Sequence, residues 1–258
     1  MISSINIGGN GIFVEDQWLN AISQNIANAN TPGYGRRQTE IASLPNVAAR
    51  PVNTALGGQV LAPGLTLGNG ARLAANQPIF GQGITASPIP TNLAIAGGGF
   101  FVVTMPGGGL AYTRAGNFTV DASGQLVLPD GSLIYPPVTV PGGTTLSVLP
   151  DGTIMAASGQ GSARPIGQVM VAQFPNPEGL GAIGNNLYQA TPASGPATLV
   201  KPGSAGAGVL QSSALNQSNV NLAQSFVDLV QAESIYQMNA KVVQVGAGLA
   251  KSTTSLIV

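Results

Sequence analysis

The chain has 258 residues, enough for one large or two modest domains, and 44% of them are hydrophobic, which excludes compositional disorder. Only 7% are charged, nine basic against nine acidic, so no net field draws in nucleic acid or an anionic membrane, and a near-neutral, charge-poor surface favours self-association. Cysteine and histidine are both absent, which removes disulfides, thiolate chemistry and the commonest general base and metal ligand.

The opening residues, MISSINIGGNGIFVED, have neither the basic nor the apolar region of a cleavable secretory signal. Any export is therefore expected to proceed without a cleaved signal peptide. No apolar run approaches the ~20 residues needed to span a bilayer as a helix. The first periodic segment follows at once. Ile5, Ile12, Leu19 and Ile26 recur every seven residues, with Gly8, Glu15, Ile22 and Ala29 three further on, a heptad seam interrupted by Glu15. The segment then stops at NIANANTPGYG, residues 25–35. Asn28 and Asn30 compete with the helix through local hydrogen bonds, Pro32 pushes Thr31 out of helical geometry, and Gly33 opens a turn that Tyr34 can pin.

Residues 41–87 show little periodicity and many breakers, and they read as an extended connector or a long hairpin. Arg36 and Arg37 read as a solvated pair beside the C-terminal end of the first helix. From residue 92 to about residue 190 short apolar runs alternate with tight turns: FFVV, LAYTR, QLVL, LIY, VTV and LSVL, with QVMVAQF the longest strand candidate. The 36 glycines and 19 prolines fit many such turns. The last segment is helical again. Leu222, Leu229, Tyr236, Val243, Ala250 and Ile257 lie seven apart, with Phe226, Glu233, Ala240, Ala247 and Thr254 four further on. Ser218, Asn219 or Asn221 can cap it, and Gly246 and Gly248 weaken its last turns.

A single seam of this width leaves a helix marginal on its own. Two of them flanking a β-rich centre predict that the two ends pair with each other and with other copies. Chemistry finds little footing. Asp121, Asp130 and Asp151 each precede a glycine in a turn, where the side chain binds its own backbone. Gly97, Gly98 and Gly99 lack the lysine and the following helix of a phosphate loop and read as close backbone packing where a strand begins. Glu40 and Glu178 are the loose carboxylates left for an enzyme. No catalytic, cofactor or metal site is predicted.

At NIANANTPGY the chain resembles the axial proteins of the bacterial flagellum, the rod and hook family, in which the first helix ends in N-[LI]-A-N-x-x-T-x-G-[YF]. Asn25, Ile26, Ala27, Asn28, Thr31, Gly33 and Tyr34 match it, and Pro32 lies within it. GGGFFVV and YTRAGNFTVDASGQLV, within residues 97–127, are similar to the central signature of that family through Tyr112, Arg114, Gly116, Phe118, Asp121, Gly124 and Leu126. SNVN at residues 218–221, before a heptad helix with Tyr236, Asn239 and Lys241, is similar to the C-terminal signature. QAESIYQMNAK departs from the usual Q-R-A-Y-E-x-N, so no specific salt bridge carries over there.

The resemblance implies a mainly β chain with long N- and C-terminal α-helices pairing as a coiled coil around a middle domain of short hairpins. Residues 1–35 and 215–258 would form an inner tube, 36–90 a connector or rod-specific hairpin bracing neighbours, and 91–214 an outer β-domain. Packing along the tube is expected from Ile5, Ile12, Leu19, Ile22, Ile26, Leu222, Phe226, Leu229, Tyr236 and Val243. The implied function is a structural subunit of the basal-body rod, in its distal part by the length and by GGQVLAPGLTLGNGARL and GNNLYQA. It would polymerise into a helical tube that transmits torque around an export channel. Its implied partners are further copies, other rod and hook subunits and the flagellar export apparatus, with no nucleic acid or small-molecule substrate. A proximal-rod or short hook subunit is the alternative within the family, and a secreted β-rich binding module or adhesin the alternative outside it.

Overall fold

The structure, a computed structural model, describes residues 2–50, 53–54, 60–62, 65–158 and 162–255. It is mostly β, with a helix at each end. Two compact units divide the chain. One contains Met1–Ala27, Arg37–Gln77 and Asn221–Val258, the other Asn28–Arg36 and Pro78–Val220. The chain thus crosses between units four times.

In the first unit, α1 spans Ile2–Ala27 and α2 spans Leu222–Ser255. Asn221 begins α2, its Oδ1 accepting the Gln224 N–H at 3.2 Å while its carbonyl accepts the Ser225 N–H at 2.9 Å. The helices pack against each other. The segment between α1 and the β-rich unit doubles back on itself. Arg36–Ser43 joins Ala71–Ile79, Val47–Arg50 pairs with Leu65–Leu67, and Asn53–Thr54 pairs with Val60–Ala62. Residues 55–59, which include Gly57 of GGQVLAPG, and residues 63–64 of that stretch lie outside the described residues, as does Ile257 of the C-terminal stripe. Ala71–Ile79 is the longest strand described, although the sequence shows no clear period there.

The β-rich unit is built around Phe100–Thr104. This strand pairs antiparallel with Leu110–Thr113, Leu133–Ile134 and Val171–Gln173 at the centre of a nine-stranded sheet. Its run of Phe100, Phe101, Val102 and Val103 is unbroken because both faces are covered. Phe101 and Val103 enter the larger core with Leu93, Ile95, Phe118 and Ile154, whereas Phe100 and Val102 enter a smaller one with Tyr112, Phe174 and Tyr188. A three-stranded sheet of Thr144–Val148, Thr153–Ser158 and Arg164–Gln168 adds Leu146, Val148 and Ile154 to the larger core.

Two expectations are corrected. QVMVAQF is not one strand: Arg164–Gln168 and Val171–Gln173 belong to different sheets. The break falls at Val169, which is fully buried and whose N–H bonds the Gly152 carbonyl at 2.8 Å instead of continuing a ladder. Arg36 and Arg37 are half-buried at the start of a strand rather than a solvated pair beyond the helix, because side-chain amides of Asn219 and Asn25 hold their backbones.

Candidate assembly surfaces

Small residues bring α1 and α2 together. A Cβ added at Gly8 would lie 2.8 Å from Val243 Cγ2, one at Gly11 2.6 Å from Asn239 Nδ2, and one at Gly246 2.8 Å from Ile5 Cγ1. Positions rising along α1 meet positions falling along α2, so the two helices run antiparallel. On α2 the inward seam is Ser225, Ala232, Asn239 and Gly246, seven residues apart, with Ser225, Ala232 and Gly246 buried. On α1 the buried residues are Gly8, Val14, Glu15, Ala21, Ile22 and Asn25. Short side chains let helix axes approach closely.

Apart from Val243, which meets α1 at Gly8, much of the large apolar surface of α2 is left uncovered. Leu222, Phe226 and Tyr236 are exposed, Leu229 and Val243 half-buried. Val227, Val230, Met238, Val245 and Leu249 are also exposed, Val230 by 67%. Phe226, Val227, Val230, Gln231, Ser234, Ile235 and Met238 line one shallow groove. On α1, Ile5, Ile12, Leu19 and Ile26 are half-buried and Phe13 is 61% exposed. A soluble monomer rarely leaves a contiguous apolar stripe uncovered. Glu15 on α1 is only 7% exposed, and its Oε2 has no hydrogen-bond partner among the described residues. Burial raises its pKa above the ordinary carboxylate value.

The helix stop is a chain of short-range ties. Asn25 Nδ2 donates to the Arg37 carbonyl at 2.9 Å and its Oδ1 accepts the Arg37 N–H at 2.8 Å, a side chain acting as one rung of a ladder. The Asn28 carbonyl accepts the Thr31 N–H at 3.1 Å and its Oδ1 accepts the Thr31 hydroxyl at 3.2 Å. Tyr34 N–H closes the turn on the Thr31 carbonyl at 3.2 Å. Gly33 has φ +69°, and a Cβ there would run into the Arg114–Ala115 peptide. Its N–H bonds the Asn216 carbonyl at 2.7 Å, and Asn186 Nδ2 holds the Pro32 carbonyl at 2.8 Å.

Sequence reasoning missed the far ends of these ties. Asn219 Oδ1 accepts the Arg36 N–H at 2.6 Å while its Nδ2 donates to the Ile79 carbonyl at 2.8 Å. Asn216 does the same with both backbone groups of Ile95, at 2.9 and 3.0 Å. The excess of asparagine was the available signal; its partners, more than a hundred residues away, were not.

The central signature residues occupy the β core and its turns. Tyr112 stacks edge-on against Phe174 at 4.8 Å, and Phe118 against Phe101 at 5.3 Å. A Cβ on Gly116 would strike the Leu93 carbonyl, to whose residue Gly116 is already bonded through the Leu93 N–H at 2.9 Å. Asp121 Oδ1 accepts the Ser123 and Gln125 N–H groups at 2.9 and 2.7 Å, with Gly124 at φ +79° completing the turn. Asp130 and Asp151 bind Ser132 and Thr153 in the same way, and the Thr153 hydrogen bonds lower the Asp151 pKa. Arg114 is buried with its guanidinium carbon 5.3 Å from the Phe100 ring centroid. Among the described residues no group of three or more carboxylates, histidines or cysteines could hold a metal.

Comparison with known proteins places this arrangement. A profile described as flagella basal body rod protein matches residues 5–34, one for the flagellar hook protein FlgE/F/G D1 domain matches 94–156, and one for the flagellar basal body rod FlgEFG protein C-terminal matches 211–256. The flagellar basal-body rod protein FlgG of Caulobacter vibrioides is 33% identical over 260 residues, 99% of each chain. The chain belongs to the flagellar rod and hook family. FlgG of Buchnera aphidicola subsp. Acyrthosiphon pisum is 36% identical over 246 residues, 93% of this chain and 94% of its own. The hook protein FlgE of Salmonella typhimurium is 38% identical over only 94 residues, 36% of this chain and 23% of that one. In this rod-family chain the matched segments are α1 with its stop, the strands around Phe100–Thr104, and α2 with the strands before it.

Proposed function

We propose that the chain is a non-catalytic structural subunit of the flagellar basal-body rod, in its distal part. The reading rests on the uncovered apolar face of α2 in a chain alike from end to end to basal-body rod proteins. Copies stack so that this face is covered by neighbours. α1 and α2 form an antiparallel coiled coil in an inner tube around an export channel, and the β-rich unit forms the outer layer. A subunit with two different complementary faces, repeated by a rotation that does not close, generates a helical filament. Its partners are further copies and adjoining rod and hook subunits. Export proceeds unfolded through the flagellar apparatus, consistent with a chain free of cysteine.

Likeness to the hook protein over a quarter of that protein's length does not favour a hook role. The test is localisation. Basal bodies purified from flagellated cells carrying a tagged copy should hold the tag in the rod below the hook. Tag in the hook, or absent from basal bodies, contradicts the proposal.

A further inference from the structure

The seam of α2 against α1 recurs every seven residues, at Ser225, Ala232, Asn239 and Gly246. A second stripe on the same helix recurs every eleven: Val227, Met238 and Leu249, then Gln231 and Val242, then Ser234 and Val245. All seven of these residues are exposed. Eleven residues complete three turns at about 3.67 each, close to the 3.6 of an unstrained helix, so the stripe keeps to one side of α2. Its first half is concave, since Val227, Gln231, Ser234 and Met238 all line the groove. Its second half, Val242, Val245 and Leu249, is an apolar ridge. A shift of eleven residues, about 16 Å along the axis, lays Met238, Val242, Val245 and Leu249 of one helix level with Val227, Gln231, Ser234 and Met238 of a parallel one. Val245 then meets Ser234, the smallest side chain of the groove.

The charges of α2 are sorted along the same direction. Asp228 and Glu233 lie within the span of the groove, Lys241 and Lys251 beyond it. The helix dipole acts over the terminal turns, which accounts for Lys251 but not for Lys241, well inside the helix. Within the subunit Asp228 and Glu233 accept neutral amides, from Gln224 at 2.8 Å and Gln237 at 3.4 Å. Parallel helices in register would set Asp228 against Asp228 and Lys241 against Lys241. Under the eleven-residue shift Lys241 comes level with Val230, about 3 Å along the axis from Asp228. An exposed ion pair adds little affinity, so the stripe supplies the binding and the charges select the register.

We propose that the groove on α2 seats a second copy of this chain, whose own α2 lies parallel and displaced by eleven residues, with Val242, Val245 and Leu249 filling the groove. This rests on the polymeric reading above and names its register. Each contact joins the groove of one copy to the ridge of another, so every added copy leaves one of the two unused and the contact does not close. An antiparallel pair would bury both grooves in one closed dimer.

The chain has no cysteine, so introduced pairs report alone. Full-length Ser234→Cys/Val245→Cys and Gln231→Cys/Val242→Cys are oxidised under assembly conditions and run denatured without reductant. Each pair should give a ladder of trimers and longer chains, while each single variant stays monomeric. Ser234→Cys/Leu249→Cys, four residues out of register, should give no ladder. Crosslinking that stops at dimers would mark the antiparallel pair and overturn the proposal. A ladder from the Leu249 pair instead, or no crosslink in variants that sediment as polymers, would overturn it equally while leaving the polymeric reading intact. Failure of the wild-type chain to sediment as a polymer at any concentration would overturn both.

Discussion

Gly33 and Glu15 each hold a tight constraint at the scale of single residues. Gly33 combines a left-handed φ with backbone packed where a side chain would begin. Gly33→Ala should destabilise the chain by more than about 1 kcal/mol, read by urea unfolding of the β-rich unit, because strain and clash add. An unchanged midpoint would mean the loop can move aside. Glu15 gives the pH dependence. Its folded pKa lies above the ordinary 4.5, so the folded form binds the proton more tightly. The cost of its charge is absent below about pH 4.5, develops as pH rises above it, and is full once pH exceeds the raised value. Helix melting by circular dichroism should therefore occur at higher temperature near pH 4.5 than near pH 7.5, and Glu15→Gln should remove that contribution. A wild-type slope retained in the variant would assign it to other groups. Turn aspartates were legible from their Asp-to-Gly spacing, since a turn is local. The asparagine ties were not, since Asn219 bonds Ile79 across 140 positions and sequence carries no trace of that distance.

Helices illustrate how far a repeat can be read at the scale of elements. Seven-residue spacing located α1 and α2, and the reading of α2 as Asn221 to about Thr254 falls within a residue of its ends, but two faces of one helix can share that period. Within the subunit the inner seam of α2 uses Ser225, Ala232 and Gly246, and the bulky stripe lies outward. Which of two heptad faces turns inward depends on how closely the partner approaches, and Gly8 and Gly11 set that on α1. Gly246→Leu should force the helices apart, costing about 1–3 kcal/mol as overpacking does, with a measurable loss of helical signal. Full helicity in the variant would show that the seam tolerates bulk. On the outer face, Val230→Asp or Met238→Asp should leave the subunit folded and abolish assembly, because covering an unpaired charge costs several kcal/mol. Sedimentation reads this directly, and assembly by either variant at the wild-type concentration would remove α2 from the contact. The strand reading failed at QVMVAQF for a related reason: a buried apolar run looks continuous whether or not it changes sheet at Val169.

The whole molecule is a chain with too little charge to keep its copies apart and too much apolar helix surface to leave in water. Its β-rich unit buries two hydrophobic cores internally, the smaller one rich in aromatics, whereas its helical unit covers one seam and leaves another open. That asymmetry was visible in the sequence as periodic ends around a turn-rich centre; which face of each helix stays open was not. The most direct test is electron microscopy of the purified full-length chain raised above its assembly concentration. The account predicts helical tubes with a hollow axis, dissolving on dilution into subunits whose helices melt before the β-rich unit. A solution of single, evenly sized particles at every concentration, helices fully formed in each, would contradict it.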